Sequence, residues 1–235
     1  MKKRIIVIGV IIALLIIGIC IYLVKNNEEV NEVMSDALAF KLEHEELNGL
    51  VHPNNSERVH KDMYVPEDNP FVFVEFDEII DLLENNGTGV VYLGFPICPW
   101  CRNLVPVLAD AAIEFGVEEI MYRNILEDRN LLELDEEGNV VEVEAGNPGY
   151  YRLMELLGNH VPIYRDLNDD SLRRIYVPAV IFIKDGEVVR YFQNLSTFEE
   201  RVPNEPLGSF TPMNKEEQRE LKEIFLNYFS ILFNR

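Results

Sequence analysis

Cys98-Pro99-Trp100-Cys101 holds two thiols at a spacing that lets them bridge. The apolar run before the pair, Gly89 to Phe95, reads as a buried strand. The run after it, Arg102 to Ala112, reads as a helix. Strand, tight turn and helix would set Cys98 at a helix N-terminus, where unpaired N–H groups and the helix dipole favour a thiolate. Such settings lower a cysteine pKa from about 8.5 to roughly 3.5–7.5. The thiolate is the attacking species in disulfide exchange, so the placement is itself the activation.

Two other uses of such a pair compete. Structural zinc needs two further Cys or His ligands at suitable spacing. The one other cysteine, Cys20, lies in an apolar run, and His44, His52, His60 and His160 are scattered without a paired spacing. No metal site is expected, and His44, His52 and His60 read as surface residues. A purely structural bridge would close so short a loop that it removes little chain entropy. Redox exchange is the favoured reading, and it calls for no cofactor.

The elements that position the pair are framed by charge. The 235-residue chain carries a net charge of −20. Lys2, Lys3, Arg4 and Lys25 are the only charged residues up to position 25, so the rest sets 41 acidic residues against the other 17 of the 21 basic ones. So acidic a surface argues against nucleic acid as a partner, since phosphate binding needs clustered cations. It also argues against lying flat on anionic lipid.

Ile5 to Val24 is a stretch of 20 residues without a charge. At 1.5 Å per residue it spans about 30 Å, the hydrocarbon thickness of a bilayer. The cations before it place the N-terminus in the cytoplasm and the acidic part on the extracytoplasmic side. A cleaved signal peptide is the competing reading, but no Ala-x-Ala-like site is present. The expected organisation is an anchor over residues 1–25, a spacer and N-terminal extension over 26–70, and a main domain over 71–235. Outside the cytosol disulfides persist, and the exported part has only the two cysteines of the pair.

Within the extension, Asp36 to Leu47 reads as a helix stopped by Asn48-Gly49, and Val59 to Val65 as a strand ending at Pro66. In the main domain, Phe71 to Glu75 is β-rich, and Asp77 is placed to cap a helix over Glu78 to Leu83. Pro106 falls inside the helix after the pair, where it should kink it. Glu119 to Ile125 is the next strand. Residues 127 to about 172 interrupt the alternation with a hairpin around Glu137-Gly138-Asn139 and a helix introduced by Asn147-Pro148-Gly149. They read as an insertion that borders the active site. Ile175 to Ile183 is a strand with Pro178 near its start, followed by an Asp185-Gly186 turn and a returning strand to Phe192. A final helix runs from Asn214, whose pairing with Glu217 matches a capping box; Leu221, Ile224, Phe225, Tyr228, Phe229 and Leu232 form its apolar stripe. Alternating strands and helices imply an α/β fold around a partly parallel sheet.

These residues resemble the thioredoxin-like family from about Phe71 to Leu232, with 127–172 as an addition. Four features align in order: the strand into Cys98-Pro99-Trp100-Cys101, the helix proline Pro106, the Val177-Pro178 dipeptide opening a strand, and the Asp185-Gly186 hairpin before a C-terminal helix. The resemblance implies a thioredoxin fold, a central mixed sheet flanked by helices, here with an N-terminal transmembrane helix. It implies that Pro178 is cis and faces the dithiol, that the Val177 backbone pairs with a bound substrate chain, that Cys98 attacks and that Cys101 resolves. Pro99 and Trp100 are the supporting residues between them. The anchored, insertion-bearing form is similar to extracytoplasmic thioredoxin-like proteins of Gram-positive bacteria, some described as bacteriocin transport accessory proteins. The chain departs from thioredoxins in carrying Tyr92 where they have a buried aspartate, and Pro-Trp where they have Gly-Pro. The dipeptide is closer to the Pro-Tyr of glutaredoxins and the Pro-His of DsbA-type oxidases, which tilts the pair toward the oxidising side.

The expected activity is that of a membrane-tethered thiol–disulfide oxidoreductase. Its partners would be the thiols and disulfides of exported proteins or peptides, and a membrane or extracytoplasmic redox partner that resets the pair. An accessory or binding protein for one exporter or secreted peptide, its dithiol incidental, is the alternative. A glutathione-using enzyme fits less well: glutathione is anionic, and Arg102 is the only basic residue beside the motif.

Overall fold

Strand β4 (Gly89–Gly94) is apolar along its length because both of its faces are covered. Side chains alternate across a strand, so Val90 and Tyr92 enter one core while Val91 and Leu93 enter another. The structure, a computed structural model, describes residues 34–53 and 55–234. The expected span Ile5 to Val24 lies outside the described residues. No helix among the described residues is long and apolar enough to cross a membrane.

β4 is the centre of a five-stranded mixed sheet in the order β3 (Phe71–Phe73), β5 (Ile120–Asn124), β4, β8 (Ala179–Lys184), β9 (Glu187–Phe192). β3 and β4 both run parallel to β5, whereas β8 is antiparallel to β4 and β9. Tyr92 pairs across the sheet with Tyr122 on one side and Val180 on the other. One face packs against α3 (Pro99–Phe115) and α6 (Lys215–Phe233), through Leu104, Leu108, Leu221, Phe225 and Phe229. The other packs against α2 (Phe76–Glu84) and α4 (Pro148–Leu157), through Ile79, Tyr150, Leu153 and Leu157. From Asp36 onward the chain is one compact unit. A mixed sheet with helices on both faces agrees with the expected α/β class.

Helix ends follow from local chemistry. Asn214 accepts from the Glu217 N–H at 2.9 Å and Glu217 accepts from the Asn214 N–H at 2.8 Å, the expected capping box. α2 begins earlier than expected: Glu75 is its N-cap, and Glu78 accepts from the Glu75 N–H at 2.8 Å. The earlier start brings Phe76 into the helix and into the core. α3 continues through Pro106 to Gly116, whose φ of 81° supplies the left-handed C-cap.

The extension packs on this body through α1 (Asp36–Glu45). Phe40 is fully buried, stacked on Phe71 and on His44 at 4.0 Å between centroids. Two sequence expectations fail here. His44 and His60 are buried, not surface residues, at 0 % and 2 % exposure. His44 is held in the core by that stack and by its Nδ1, 2.9 Å from the Phe40 carbonyl. The strand is also not Val59 to Val65. It is β2 (Asn55–Val59), paired as a hairpin with β1 (Val51–His52). The backbone after it is satisfied by side chains instead of a ladder: Met63 N–H donates to Asn48 at 3.0 Å and Val65 N–H to Glu45 at 2.7 Å.

The stretch 127–172 contributes β6 (Leu131–Leu134) and β7 (Val140–Glu144), the expected hairpin, and α4. It is not merely appended, since α4 roofs one face of the sheet. α5 (Ser196–Arg201) then leads toward α6, and Arg201 joins the two with a 2.7 Å contact to Glu217.

Candidate functional site

Cys98 is the N-cap of α3 and Pro99 occupies its first turn, where a missing N–H costs nothing. The cysteine sulfur takes the place of a capping oxygen: it accepts from the Cys101 N–H at 3.3 Å. Both thiols are unbridged and buried, Cys98 at 5 % exposure and Cys101 at 0 %. The structure therefore brings the two sequence-expected sulfurs together at the mouth of a 17-residue helix.

The Val177-Pro178 bond is cis. Val177 faces the pair, its carbonyl oxygen 3.7 Å from the Cys98 sulfur. The loop expected to face the dithiol is thus at the dithiol. The strand it opens begins at Ala179, not at Ile175. Trp100 is half-buried, edge-on to Phe198 of α5 at 5.3 Å, so it both packs on the core and rims the site.

A cleft of about 360 Å³ opens beside Cys98. Its apolar walls are Phe95, Ile97, Leu126 and Val177, and its polar groups are His52, Tyr176 and Arg129. A larger hollow, about 410 Å³, lies at the other end of β4 beside Gly89 and Gly116 and contains no thiol. Chemistry places the site at the smaller one.

The two thiols differ in acidity. Burial opposes ionisation of Cys98, but hydrogen bonds from the Cys101 thiol and from the backbone of Cys101 and Trp100, together with the Arg129 charge, outweigh it; its pKa lies below the ordinary thiol value. Burial, then the hydrogen bond to Cys98 and the Cys98 charge, push Cys101 well above that value. The first sulfur is the readier of the two to ionise, and the second is held in its protonated form.

Tyr92, at the position where an aspartate was absent from the sequence, is fully buried and adjoins Cys101. Gly94 makes room for it, because a Cβ there would overlap the Tyr92 ring and hydroxyl. Burial, with the Cys101 charge next, holds this phenol well above its usual pKa. A neutral phenol is no acceptor for the Cys101 proton.

Arg102 is not the cation at the site. It is fully buried and points away, into the extension: Nε donates to the Lys61 carbonyl at 2.8 Å, Nη1 to the His44 carbonyl at 2.8 Å and to the Pro96 carbonyl at 3.3 Å, and Nη2 to Asn48. The cation that lines the cleft is Arg129, which motif reading passed over. One signal was available: Arg129 follows the C-terminal end of a parallel strand adjacent to the one that carries Cys98, and such ends are where α/β sites are built.

Among the described residues no group of three or more His, Cys, Asp or Glu is placed to hold a metal. The chain matches no family model and no curated protein.

Proposed function

We propose that the protein is a thiol–disulfide oxidoreductase with a thioredoxin fold, tethered by Ile5 to Val24 and acting on exported proteins on the extracytoplasmic side of the membrane. The observation that carries this reading is the Cys98 sulfur, at the N-terminus of α3 and 3.7 Å from the carbonyl beside a cis proline. A nucleophile held there has an acidic thiol, a resolving partner and, at the half-buried Val177, a backbone edge beside it for an extended chain.

In the reducing direction the Cys98 thiolate attacks one sulfur of a substrate disulfide. A mixed disulfide forms, and the other substrate sulfur leaves as a thiolate. Cys101 then attacks the Cys98 sulfur, closing the Cys98–Cys101 bridge and expelling the second substrate sulfur as a thiolate. Those two thiolates take up the protons the dithiol gives up, so two electrons and two protons pass to the substrate. The reverse sequence oxidises a substrate dithiol, and a membrane or extracytoplasmic thiol–disulfide partner restores the starting state.

Titration of the full-length protein against the glutathione couple tests this. The expected result is a two-electron midpoint that disappears in Cys98→Ser. Absence of any midpoint, or full function in the cell of a Cys98→Ser, Cys101→Ser double variant, would overturn it in favour of a binding role.

A further inference from the structure

Arg129 shares the cleft with Cys98. Its guanidinium lies over the Phe95 ring, 4.8 Å from the centroid, and Phe95 packs with both cysteines. The side chain is half-buried, and its Nε is enclosed without a hydrogen-bond partner. Asp128, its neighbour in the chain, does not serve it. That carboxylate faces Arg123, at 2.9 and 3.3 Å, and accepts from Asn147 at 3.1 Å. The other charge close by is Arg174, a like charge, which donates to the Asn130 carbonyl at 2.7 Å and to the Tyr164 hydroxyl.

A cation removed from water is costly unless an anion meets it. The acids in the field of Arg129 are the Tyr150 phenol and the two thiols. Tyr150 and Cys101 are both held toward their neutral forms, mainly by burial. Cys98 is the one left to ionise. The groups around its sulfur are Cys101 on α3, Tyr92 on β4, His52 on β1, Tyr176 before the cis proline, and Arg129. Arg129 alone among them carries a permanent charge.

We propose that Arg129 is the counter-ion of the Cys98 thiolate, so that the inserted stretch, together with the helix N-terminus, holds the nucleophile ionised. The inference deepens the disulfide-exchange reading and rests on it. Closing the Cys98–Cys101 bridge removes the anion and leaves Arg129 uncompensated. The reduced form is thereby favoured, which makes the pair a stronger oxidant.

The test is the pH dependence of Cys98 alkylation by iodoacetamide in the reduced full-length protein, in mild detergent, read at Cys98 by fragment mass. The wild type should react with a midpoint below the ordinary thiol value. Arg129→Gln should move that midpoint up by about one pH unit, a tenfold loss of thiolate below it. Arg129→Lys, which keeps the charge, should retain most of the depression. If Arg129→Gln does not fold, Arg129→Met, which keeps the packing on Phe95 without the charge, carries the same comparison. A low midpoint in the wild type that neither neutral variant moves overturns the inference and leaves the redox reading standing. An ordinary thiol midpoint in the wild type, with no two-electron potential, overturns both.

Discussion

Nη1 of Arg102, in the residue immediately after the second cysteine, donates to the carbonyl of His44 at 2.8 Å. One side chain thereby ties the helix that carries the dithiol to a segment more than fifty residues upstream, and three further acceptors, Lys61, Pro96 and Asn48, complete its shell. Burial lowers its pKa to about 10, which still leaves it charged at neutral pH.

Arg102→Met should therefore destabilise the protein by about 3 kcal/mol or more, since several buried acceptors lose their donor at once. Arg102→Lys should recover only part of this, because an ammonium cannot reach acceptors on four sides of a planar fork. Urea denaturation measures both. A loss below about 1 kcal/mol for Arg102→Met would contradict the shell described.

Acid should weaken the extension's hold. Burial is the main cause that lowers His44 to about 4, opposed by the Phe40 carbonyl and assisted by the Arg102 charge. The unfolded chain takes up a proton near pH 6.5, which the native state refuses until about pH 4. Stability should thus be full above pH 6.5 and fall as pH drops from there to about 4, by at most about 3 kcal/mol from this one group. Thermal melting between pH 7 and 4 should show that loss, and His44→Gln should blunt it.

The reduced protein should gain stability over Cys98→Ser as pH rises. The native pKa of Cys98 is lowered and the unfolded value is about 8.5. The contribution is complete above that unfolded value and disappears as pH falls through the native one. The difference in melting temperature between reduced wild type and Cys98→Ser should narrow from pH 8.5 to 5. A constant difference would mean that the thiol is not depressed.

Cys101→Ser should accumulate mixed disulfides through Cys98, whereas Cys98→Ser should form none through Cys101. The asymmetry follows from burial: Cys101 is fully enclosed and Cys98 borders the cleft. Non-reducing electrophoresis of full-length protein from cells distinguishes them. Adducts at Cys101 in Cys98→Ser, located by fragment mass, would reverse the assigned order of attack.

What was legible in the sequence was local. The β4 run, the Cys98 N-cap, the Asn214–Glu217 capping box and the Asp185-Gly186 turn each announce themselves within a few residues, because strand period, cap chemistry and turn preference act at that range. What was not legible depends on residues far apart. His44 reads as polar and is buried only because Phe40 and Tyr122 enclose it. The backbone at Met63 and Val65 leaves the expected strand because Asn48 and Glu45 supply its hydrogen bonds. Arg102 and Arg129 exchange the roles their positions suggested: the cation next to the motif serves the core, and the one in the inserted stretch lines the cleft beside Cys98.

The shell around Arg102 also sets where this protein can be cut. Three of its acceptors, on His44, Asn48 and Lys61, precede the first strand of the sheet. A shortened version beginning at Phe71 would take away three of the four acceptors of the Arg102 guanidinium together with the segment that covers it. The compact unit begins at Asp36, and proteases that nick the segment between α1 and β3 should loosen the helix that carries the dithiol without touching it.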